Sequence, residues 1–321
     1  MRLRLQISAL ALAGALLQAA CAAPETVPAM PAGTGSSPVS VSEPLSLSSG
    51  GTQRTYRLHV PANVSGEVPL VLALHGGGGN SSTMVSVSHW VETADAEGFI
   101  VAFPEGVGRM ANRATWNAGG CCAYAMTHGS DDIAFISNLI DHISAQQPVD
   151  PDRIYMAGLS NGGMLTNRAG ALLGDKLAAI GTVVGAMFED QPVPQAPLPV
   201  IAINAVHDDV VPYGGGLSPV SMVARAQSAP FLPAVESAAR WADWNGCSET
   251  PIQSQAGTVI TTRYQGCEDG ADVVFVTLED GGHGWPGGPT RRDDGLPPSD
   301  AVDATDLLWG FFAQHPAPPG Q

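Results

Sequence analysis

The sequence of 321 residues predicts an α/β fold, in which helices cover both faces of an open, mostly parallel sheet. From residue 54 onwards, short apolar runs alternate with longer stretches of helical periodicity. Several of the short runs are apolar at every position, which is typical of strands buried between two helix layers. We therefore predict strands at residues 56–60, 70–74, 100–103, 154–157, 180–184, 200–204 and 273–277. We predict helices at residues 89–97, 132–146, 162–173, 233–245 and 301–314, the fourth beginning at Pro233 and stopped by Gly246.

The composition indicates a loop-rich globular protein with an acidic surface. Hydrophobic residues make up 44% and charged residues only 14% of the chain, which also has 38 glycines and 26 prolines. The formal net charge is −16, and Lys176 is the single lysine. Because no basic stripe is present, we expect no nucleic-acid partner. An anionic membrane surface would repel the chain for the same reason.

The first 20 residues have the features of a secretory signal peptide. Arg2 and Arg4 precede an apolar run over residues 5–17, and small residues follow on both sides of Cys21. The run is too short for a transmembrane span. Either Cys21 is acylated as a lipid anchor, or ordinary cleavage occurs nearby. We expect a secreted or periplasmic protein with a signal peptide at 1–20, a flexible linker rich in Pro, Ser and Gly at 21–50, one domain at 51–316 and a tail at 317–321.

Four further cysteines indicate disulfide bonds, since they form an even number in an exported chain. They allow three connectivities. We expect a bond between Cys247 and Cys267, because the chain between them reads as a helix end, a turn and a strand. Cys121 would then pair with its neighbour Cys122 or with no other cysteine.

A G-x-S-x-G pentapeptide at residues 158–162 is the strongest indication of chemistry. A predicted strand leads into it and a predicted helix follows, which is the strand–turn–helix context of a nucleophile in α/β hydrolases. Such a turn exposes the hydroxyl of Ser160 at the carboxyl edge of the sheet, and a side chain at Gly158 or Gly162 would crowd it. The alternative is an ordinary turn with a helix-capping serine. The context favours the nucleophile.

A second glycine-rich segment, at residues 75–80, supports the same interpretation. It begins with His75, follows an early apolar strand and contains four consecutive glycines. In esterases such a loop supplies one backbone donor to the oxyanion, and the residue after the nucleophile supplies the other. The donors would be the amides of Gly77 and Asn161. A phosphate-binding loop would need a P-loop lysine or a G-x-G-x-x-G segment that opens a helix, and the sequence has neither.

A serine nucleophile needs a general base within hydrogen-bond reach, and chain order selects His283. In this fold the acid and then the histidine follow the serine, so only His207, His283 and His315 qualify among eight histidines. His283 lies in a glycine-rich loop after the last predicted strand, which would bring it to the edge that holds Ser160. The alternative is a histidine of a surface loop.

The acid that orients this base follows the strand at residues 200–204, where either Asp208 or Asp209 could serve. A metal site at residues 207–209 is a further alternative. Adjacent residues rarely all point at one ion, so we predict neither a metal nor another cofactor.

These residues resemble the polyhydroxybutyrate depolymerase-like and feruloyl esterase-like carboxylesterases of bacteria, over most of residues 54–314. The resemblance implies that Asp208 is the acid, because it lies four residues before the proline of a Val-Pro-Tyr segment. It also implies a substrate subsite lined by Trp116, Asn117 and Trp285. The shared motifs lie at residues 74–77, 116–122, 131–132, 158–162, 208–213, 245–247, 266–267 and 282–288.

The resemblance implies the α/β-hydrolase fold. It also implies a secreted serine carboxylesterase that acts on hydroxyalkanoate-type esters or polyesters without a cofactor. One alternative is a feruloyl or acetylxylan esterase that acts on plant cell-wall esters. Another is a non-catalytic surface lipoprotein that retains the hydrolase fold. The chain departs from the family pattern before the acid, where residues 204–207 read Asn-Ala-Val-His. Because few residues follow the last helix, we expect no polymer-adsorption domain, which favours small or soluble esters.

Overall fold

The computed structural model describes residues 41–110, 112–290 and 295–317. The predicted signal peptide, Cys21, the first part of the linker and residues 318–321 of the tail lie outside the described residues. Of the strands in the described residues, ten form one sheet and two form a small hairpin.

The large sheet contains β1 (Leu45–Ser49), β2 (Thr52–His59), β3 (Val68–Leu74), β4 (Ile100–Pro104), β7 (Val149–Leu159), β8 (Ala179–Val183), β9 (Val200–Ala205), β10 (Ile252–Ala256), β11 (Val259–Tyr264) and β12 (Val273–Leu278). The hairpin is β5 (Val107–Met110) with β6 (Arg113–Thr115). The helices of the described part are α1 (Ser81–Val87), α2 (Trp90–Glu97), α3 (Ala123–Thr127), α4 (Asp132–Ser144), α5 (Asn161–Leu172), α6 (Ser221–Ala224), α7 (Ala234–Trp244) and α8 (Ala304–Phe312), with a 3₁₀ turn at Glu268–Gly270.

The strand order in the large sheet is β1-β2-β4-β3-β7-β8-β9-β12-β11-β10. The six strands from β4 to β12 in this order pair in parallel, and the outer strands on both sides pair antiparallel. Parallel strands end at the same edge, so the segments that follow β3, β7, β9 and β12 meet there. This edge holds the glycine loop (residues 75–80) and the pentapeptide (residues 158–162). It also holds the segment after β9 that contains Asp208 and the segment after β12 that contains His283.

Side chains of the central strands alternate between two helix layers. In β3, Leu70, Leu72 and Leu74 contact one apolar cluster, and Val71 and Ala73 contact the other. The first cluster includes residues of α4, α5 and α7, and the second includes residues of α1, α2 and α8. Because both faces are covered, every residue of β3 is buried, which explains its uninterrupted apolar sequence.

The seven predicted strands and five predicted helices all occur in the structure. The α/β-hydrolase prediction is confirmed by this mostly parallel sheet with helices on both faces. The ends of α7 also match the sequence signals. Pro233 is the N-cap residue, and Gly246 follows the C-cap with a φ of +64°, a conformation that glycine adopts without strain.

The linker prediction for residues 21–50 is wrong at its carboxyl end. Leu45–Ser49 forms strand β1, which pairs antiparallel with β2 from Leu45 opposite Tyr56 to Ser49 opposite Thr52. The segment reads as a linker because three of its five residues are serines and most of it is exposed at the edge of the sheet. Backbone hydrogen bonds to β2 hold it in the sheet, and Leu47 packs against the core from the partly buried face.

The predicted bond between Cys247 and Cys267 is present. It connects the segment after α7 to the segment after β11, so the hairpin of β10 and β11 lies inside the closed loop. Cys121 and Cys122 form a second disulfide, between adjacent residues. Both cysteines of this pair are buried, and they lie in the connection between β6 and α3.

Lys176 lies in the connection between α5 and β8, at the amino end of β8 and therefore at the edge of the sheet opposite the pentapeptide. Its ammonium group is 2.6 and 2.7 Å from the two carboxylate oxygens of Asp141 on α4. Among the described residues, no helix is both long and apolar enough to cross a membrane.

Candidate active site

Ser160 lies in a sharp turn between β7 and α5. Its φ of 54° and ψ of −119° are rare for any residue with a side chain. A Cβ atom at Gly158 would collide with the carbonyl group of Gly162. A Cβ atom at Gly162 would lie 2.5 Å from the carbonyl oxygen of His75. Glycine is thus required at both positions, as the sequence predicts, because the turn closes on itself at Gly158 and passes close to the glycine loop at Gly162.

Ser160, His283 and Asp208 are joined by hydrogen bonds. The Oγ atom of Ser160 is 2.9 Å from Nε2 of His283. On the other side of the imidazole, Nδ1 is 2.8 Å from Oδ2 of Asp208. An ionised carboxylate only accepts hydrogen bonds, so Nδ1–H donates to Asp208 and the lone pair of Nε2 faces the serine hydroxyl. In this arrangement Nε2 can accept the proton of Ser160.

Asp208 is held in place by its own loop. Its Oδ1 atom accepts hydrogen bonds from the backbone N–H groups of Val210 and Val211, both at 2.8 Å. Its side chain is only 1% exposed. The structure therefore brings Asp208, and not the neighbouring Asp209, into contact with the imidazole of His283. The two oxygens of Asp208 have different partners, and this fixes the orientation of its carboxylate.

The glycine loop passes beside the serine turn. A Cβ atom at Gly76 would lie 3.4 Å from Cβ of Ser160, and one at Gly77 would lie 3.4 Å from Cβ of Asn161. The carbonyl group of Gly76 accepts hydrogen bonds from Nδ1–H of His75 and from the N–H group of Gly79. In a trans peptide the N–H group points opposite to the carbonyl, so the N–H group of Gly77 points away from His75.

The second predicted donor, the amide of Asn161, belongs to the first turn of α5. Amides of a first turn have no acceptor within their own helix, and they carry the positive end of the helix dipole. A negatively charged oxygen on a carbon atom bonded to Oγ of Ser160 would therefore meet a favourable field here.

His75 is buried and electrically neutral at physiological pH. Its pKa is lowered from 6.5 to about 4, chiefly by burial; the hydrogen bond to Gly76 opposes this shift, and the nearby charge of Arg54 adds to it. While Nδ1–H donates to Gly76, Nε2 accepts from the N–H group of Gly106 at 3.0 Å. Both ring nitrogens thus have partners that suit one neutral tautomer. The sequence placed His75 in the glycine loop but gave its side chain no role.

The depressed pKa of His75 predicts a loss of stability in acid. Between about pH 6.5 and 4 the unfolded chain binds a proton at this imidazole and the folded chain does not, so the free energy of unfolding falls as the pH falls. The loss is roughly 3 kcal/mol over that range. Urea unfolding at pH 7 and pH 4.5 should show a smaller loss for His75→Gln than for the wild type. The exposed His128 supplies the control, and a His75→Gln protein with the slope of His128→Gln would contradict the prediction.

The predicted subsite of Trp116, Asn117 and Trp285 is not formed as expected. Trp116 is 0% and Trp285 is 2% exposed, so neither offers a ring face to a substrate. The indole N–H of Trp285 donates to Oγ1 of Thr305 at 3.1 Å. Asn117 is half-buried, and its side-chain amide donates to the carbonyl of Ser130. The assignment of the two tryptophans is wrong because both indoles find polar partners inside the core.

A buried ion pair that the sequence did not predict lies next to the segment that contains Trp116 and Asn117. Nη2 of Arg54 is 2.8 Å from Oδ1 of Asp132, and these side chains are 6% and 0% exposed. Oδ2 of Asp132 accepts a hydrogen bond from the backbone N–H of Asn117 at 2.7 Å. The guanidinium also lies 4.0 Å from the centre of the Phe135 ring. The signal in the sequence is the pair of aspartates that opens α4, but the partner is 78 positions away.

Comparison with known proteins gives the same fold and a family. The family described as Esterase PHB depolymerase matches residues 54–238. Feruloyl esterase B of Piromyces equi is 34% identical over 70% of this chain, which spans 41% of that relative's length. NocK, a protein of Nocardia uniformis subsp. tsuyamanensis named as an esterase, is 31% identical over 88% of this chain and 90% of its own length.

Among solved structures, an acetyl xylan esterase from Aspergillus awamori superimposes with a TM-score of 0.59. The match covers 85% of this chain and 99% of that one, at 15% identity, and it supports the fold alone.

Within the described residues, no group of three or more His, Cys, Asp or Glu side chains is placed to hold a metal ion. The extent of the family match, together with the similarity to NocK along nearly the whole chain, shows that this protein belongs to the Esterase PHB depolymerase family of carboxylic ester hydrolases.

Proposed function

We propose that the protein is a serine carboxylesterase in which Ser160 is the nucleophile, His283 the general base and Asp208 the residue that orients the base. The observation that carries the proposal is the pair of hydrogen bonds that joins these three side chains, 2.9 Å from Ser160 to His283 and 2.8 Å from His283 to Asp208. Nucleophile, base and orienting acid in this contact are the requirements for acyl transfer through a serine.

In the proposed reaction, Oγ of Ser160 attacks the ester carbonyl carbon while its proton passes to Nε2 of His283. The electron pair of the carbonyl moves to its oxygen, and the amides of Gly77 and Asn161 stabilise the resulting negative charge. The tetrahedral intermediate collapses, and the alcohol leaves with the proton from His283. Water, deprotonated by His283, then attacks the carbonyl carbon of the acyl-enzyme; the bond to Oγ breaks, Oγ takes the proton back from His283, and the carboxylic acid is released.

Two substrate classes remain in the proposal, and each has its own support. Hydroxyalkanoate-type esters or polyesters follow from the description of the family that matches residues 54–238. The class of feruloyl or acetylxylan esters is supported by the name of the relative with 34% identity, a feruloyl esterase. The buried positions of Trp116 and Trp285 leave no aromatic platform at those two positions for either class.

We also propose that the protein is exported. The support is the signal-peptide pattern at residues 1–20 and the presence of two disulfide bonds, which persist in oxidising compartments. Acylation at Cys21 remains an alternative to a freely secreted form. A non-catalytic lipoprotein with the same fold is the competing function, and it would have no need of all three contacting side chains.

Covalent labelling separates these functions, and a set of esters separates the substrate classes. A fluorophosphonate should add one phosphonyl group per molecule at Ser160, found by mass spectrometry of the intact protein and its peptides, because fluoride leaves when Oγ attacks phosphorus. Protein unfolded in urea is the control and should not be labelled. The wild type should then hydrolyse at least one of p-nitrophenyl butyrate, methyl ferulate and hydroxybutyrate oligomers. A folded protein that neither reacts with the fluorophosphonate nor hydrolyses any ester would support the binding function instead.

A further inference from the structure

Trp116 has three hydrogen bonds to the two segments that carry the proposed oxyanion donors. Its backbone N–H donates to Oδ1 of Asn161 at 2.7 Å, and its carbonyl accepts from Nδ2 of the same side chain at 3.1 Å. Its indole N–H donates to the carbonyl oxygen of His75 at 2.9 Å. The imidazole of His75 also packs against the indole, with the ring centres 4.9 Å apart.

These hydrogen bonds reach both proposed oxyanion donors, Gly77 through His75 and Asn161 through its side chain. His75 immediately precedes Gly76, whose carbonyl it holds, and so it sets the direction of the Gly77 N–H group. Asn161 supplies the other donor from its own backbone, and its side chain is held by Trp116. Trp116 is therefore hydrogen-bonded to both segments at once, although the loop that follows β3 and the first turn of α5 are far apart in the chain.

We propose that Trp116 is a positioning residue that fixes the peptide between Gly76 and Gly77 relative to Asn161, so that both amides stay at the spacing a tetrahedral oxyanion requires. The inference rests on the proposed serine esterase mechanism. Donors stabilise this charge only when they lie about 2.7–3.1 Å from the oxygen, and a preorganised site avoids the cost of moving them during the reaction. β3 and β7 pair in the sheet, and Trp116 adds a direct hydrogen-bonded connection between the two segments that follow these strands.

Trp116 can serve as this connection because its own backbone is fixed from the opposite side. The next residue, Asn117, donates its backbone N–H to the buried carboxylate of Asp132 at 2.7 Å. Asp132 in turn pairs with Arg54 of β2 at 2.8 Å. The position of Trp116 is thus set by the core of the protein, and a substrate is not needed to order it.

The test compares Trp116→Phe with Trp241→Phe. Trp241 is a matched control, because it is 1% exposed and its indole N–H donates to Oδ1 of Asn167 at 2.9 Å, away from the glycine loop. Each substitution removes one buried indole hydrogen bond and should lower the melting temperature. Only Trp116→Phe should lower kcat, by about 10- to 100-fold, with KM changed by less than about threefold. A Trp116→Phe protein with wild-type kcat and a lowered melting temperature would show that Trp116 stabilises the core and does not position the donors.

A second measurement reports on the oxyanion directly. A trifluoromethyl ketone adds to Ser160 through its carbonyl carbon and leaves an oxyanion in the same position, so its inhibition constant should rise by the factor by which kcat falls. If Trp116→Phe does not fold, Asn161→Ala tests the connection from the other side, since it keeps the backbone amide and removes both side-chain bonds. It should lower kcat by at least about tenfold. An unchanged kcat in Asn161→Ala would overturn the inference.

The two levels of the proposal fail in different ways. A wild-type protein that hydrolyses no ester would overturn both the serine esterase mechanism and the role of Trp116. A wild type that hydrolyses esters through Ser160, with Trp116→Phe equal to it in kcat and in affinity for the trifluoromethyl ketone, would overturn the role of Trp116 alone.

Discussion

Replacing Ser160 with alanine is expected to lower kcat for the best ester by at least about 10⁴-fold. The substitution removes the nucleophilic Oγ atom and its proton, and without Oγ no acyl-enzyme forms. Alanine keeps the Cβ atom, so the turn at φ 54° carries the same backbone conformation in both proteins. Steady-state hydrolysis of p-nitrophenyl butyrate measures the effect. Circular dichroism and thermal unfolding should show that the variant is folded.

Ser82→Ala is the control for this experiment. Ser82 is exposed on α1, and its replacement should leave kcat within about twofold of the wild type. If Ser160→Ala retains more than about a tenth of the wild-type kcat, a different nucleophile or a contaminating esterase is responsible, and the proposed mechanism is wrong.

Asp208→Asn is expected to lower kcat by about 10⁴-fold, although it changes only one oxygen into an amide nitrogen. The backbone N–H groups of Val210 and Val211 both donate to Oδ1, so the amide oxygen of asparagine must take that position. The NH₂ group then faces Nδ1 of His283 and donates to it. The imidazole is forced into the tautomer with a proton on Nε2, and this nitrogen can no longer accept the proton of Ser160.

The matched control is Asp209→Asn, which changes the neighbouring carboxylate of the same turn. We expect its kcat to remain within about threefold of the wild type, because the hydrogen bond to His283 comes from Asp208. Both variants should be compared at the same pH with the same ester. A larger loss of kcat in Asp209→Asn than in Asp208→Asn would show that Asp208 is not the acid that orients His283.

Burial determines how much of the fold could be predicted from the sequence. The strands of the centre, such as β3 and β12, are buried along their whole length; β3 is therefore apolar throughout, and β12 is apolar except for Thr277. Strand β10 is exposed at all five positions, and its sequence, Ile-Gln-Ser-Gln-Ala, has no apolar pattern. It exists because β11 offers backbone partners, and a single sequence does not display that pairing.

The same distinction applies to the candidate site. Ser160 and His283 could be predicted because their surroundings require glycine, and glycine is visible in a sequence. The tryptophans could not, since an indole inside the core and an indole at a binding surface are the same letter. Only the structure shows that the N–H of Trp116 is bonded to His75. Likewise, no local pattern connects Arg54 with Asp132, because their contact depends on how β2 and α4 meet.

The position of Lys176 has a practical consequence for immobilising the enzyme. It carries the only side-chain amine in the sequence, at the edge of the sheet opposite Ser160. Coupling through this side chain would therefore hold each molecule by that edge, with the edge that carries Ser160 directed to the solution. Enzymes with many lysines attach in mixed orientations, some of which block the entrance to the site. Here a bulky or polymeric ester would reach every attached molecule from the open side.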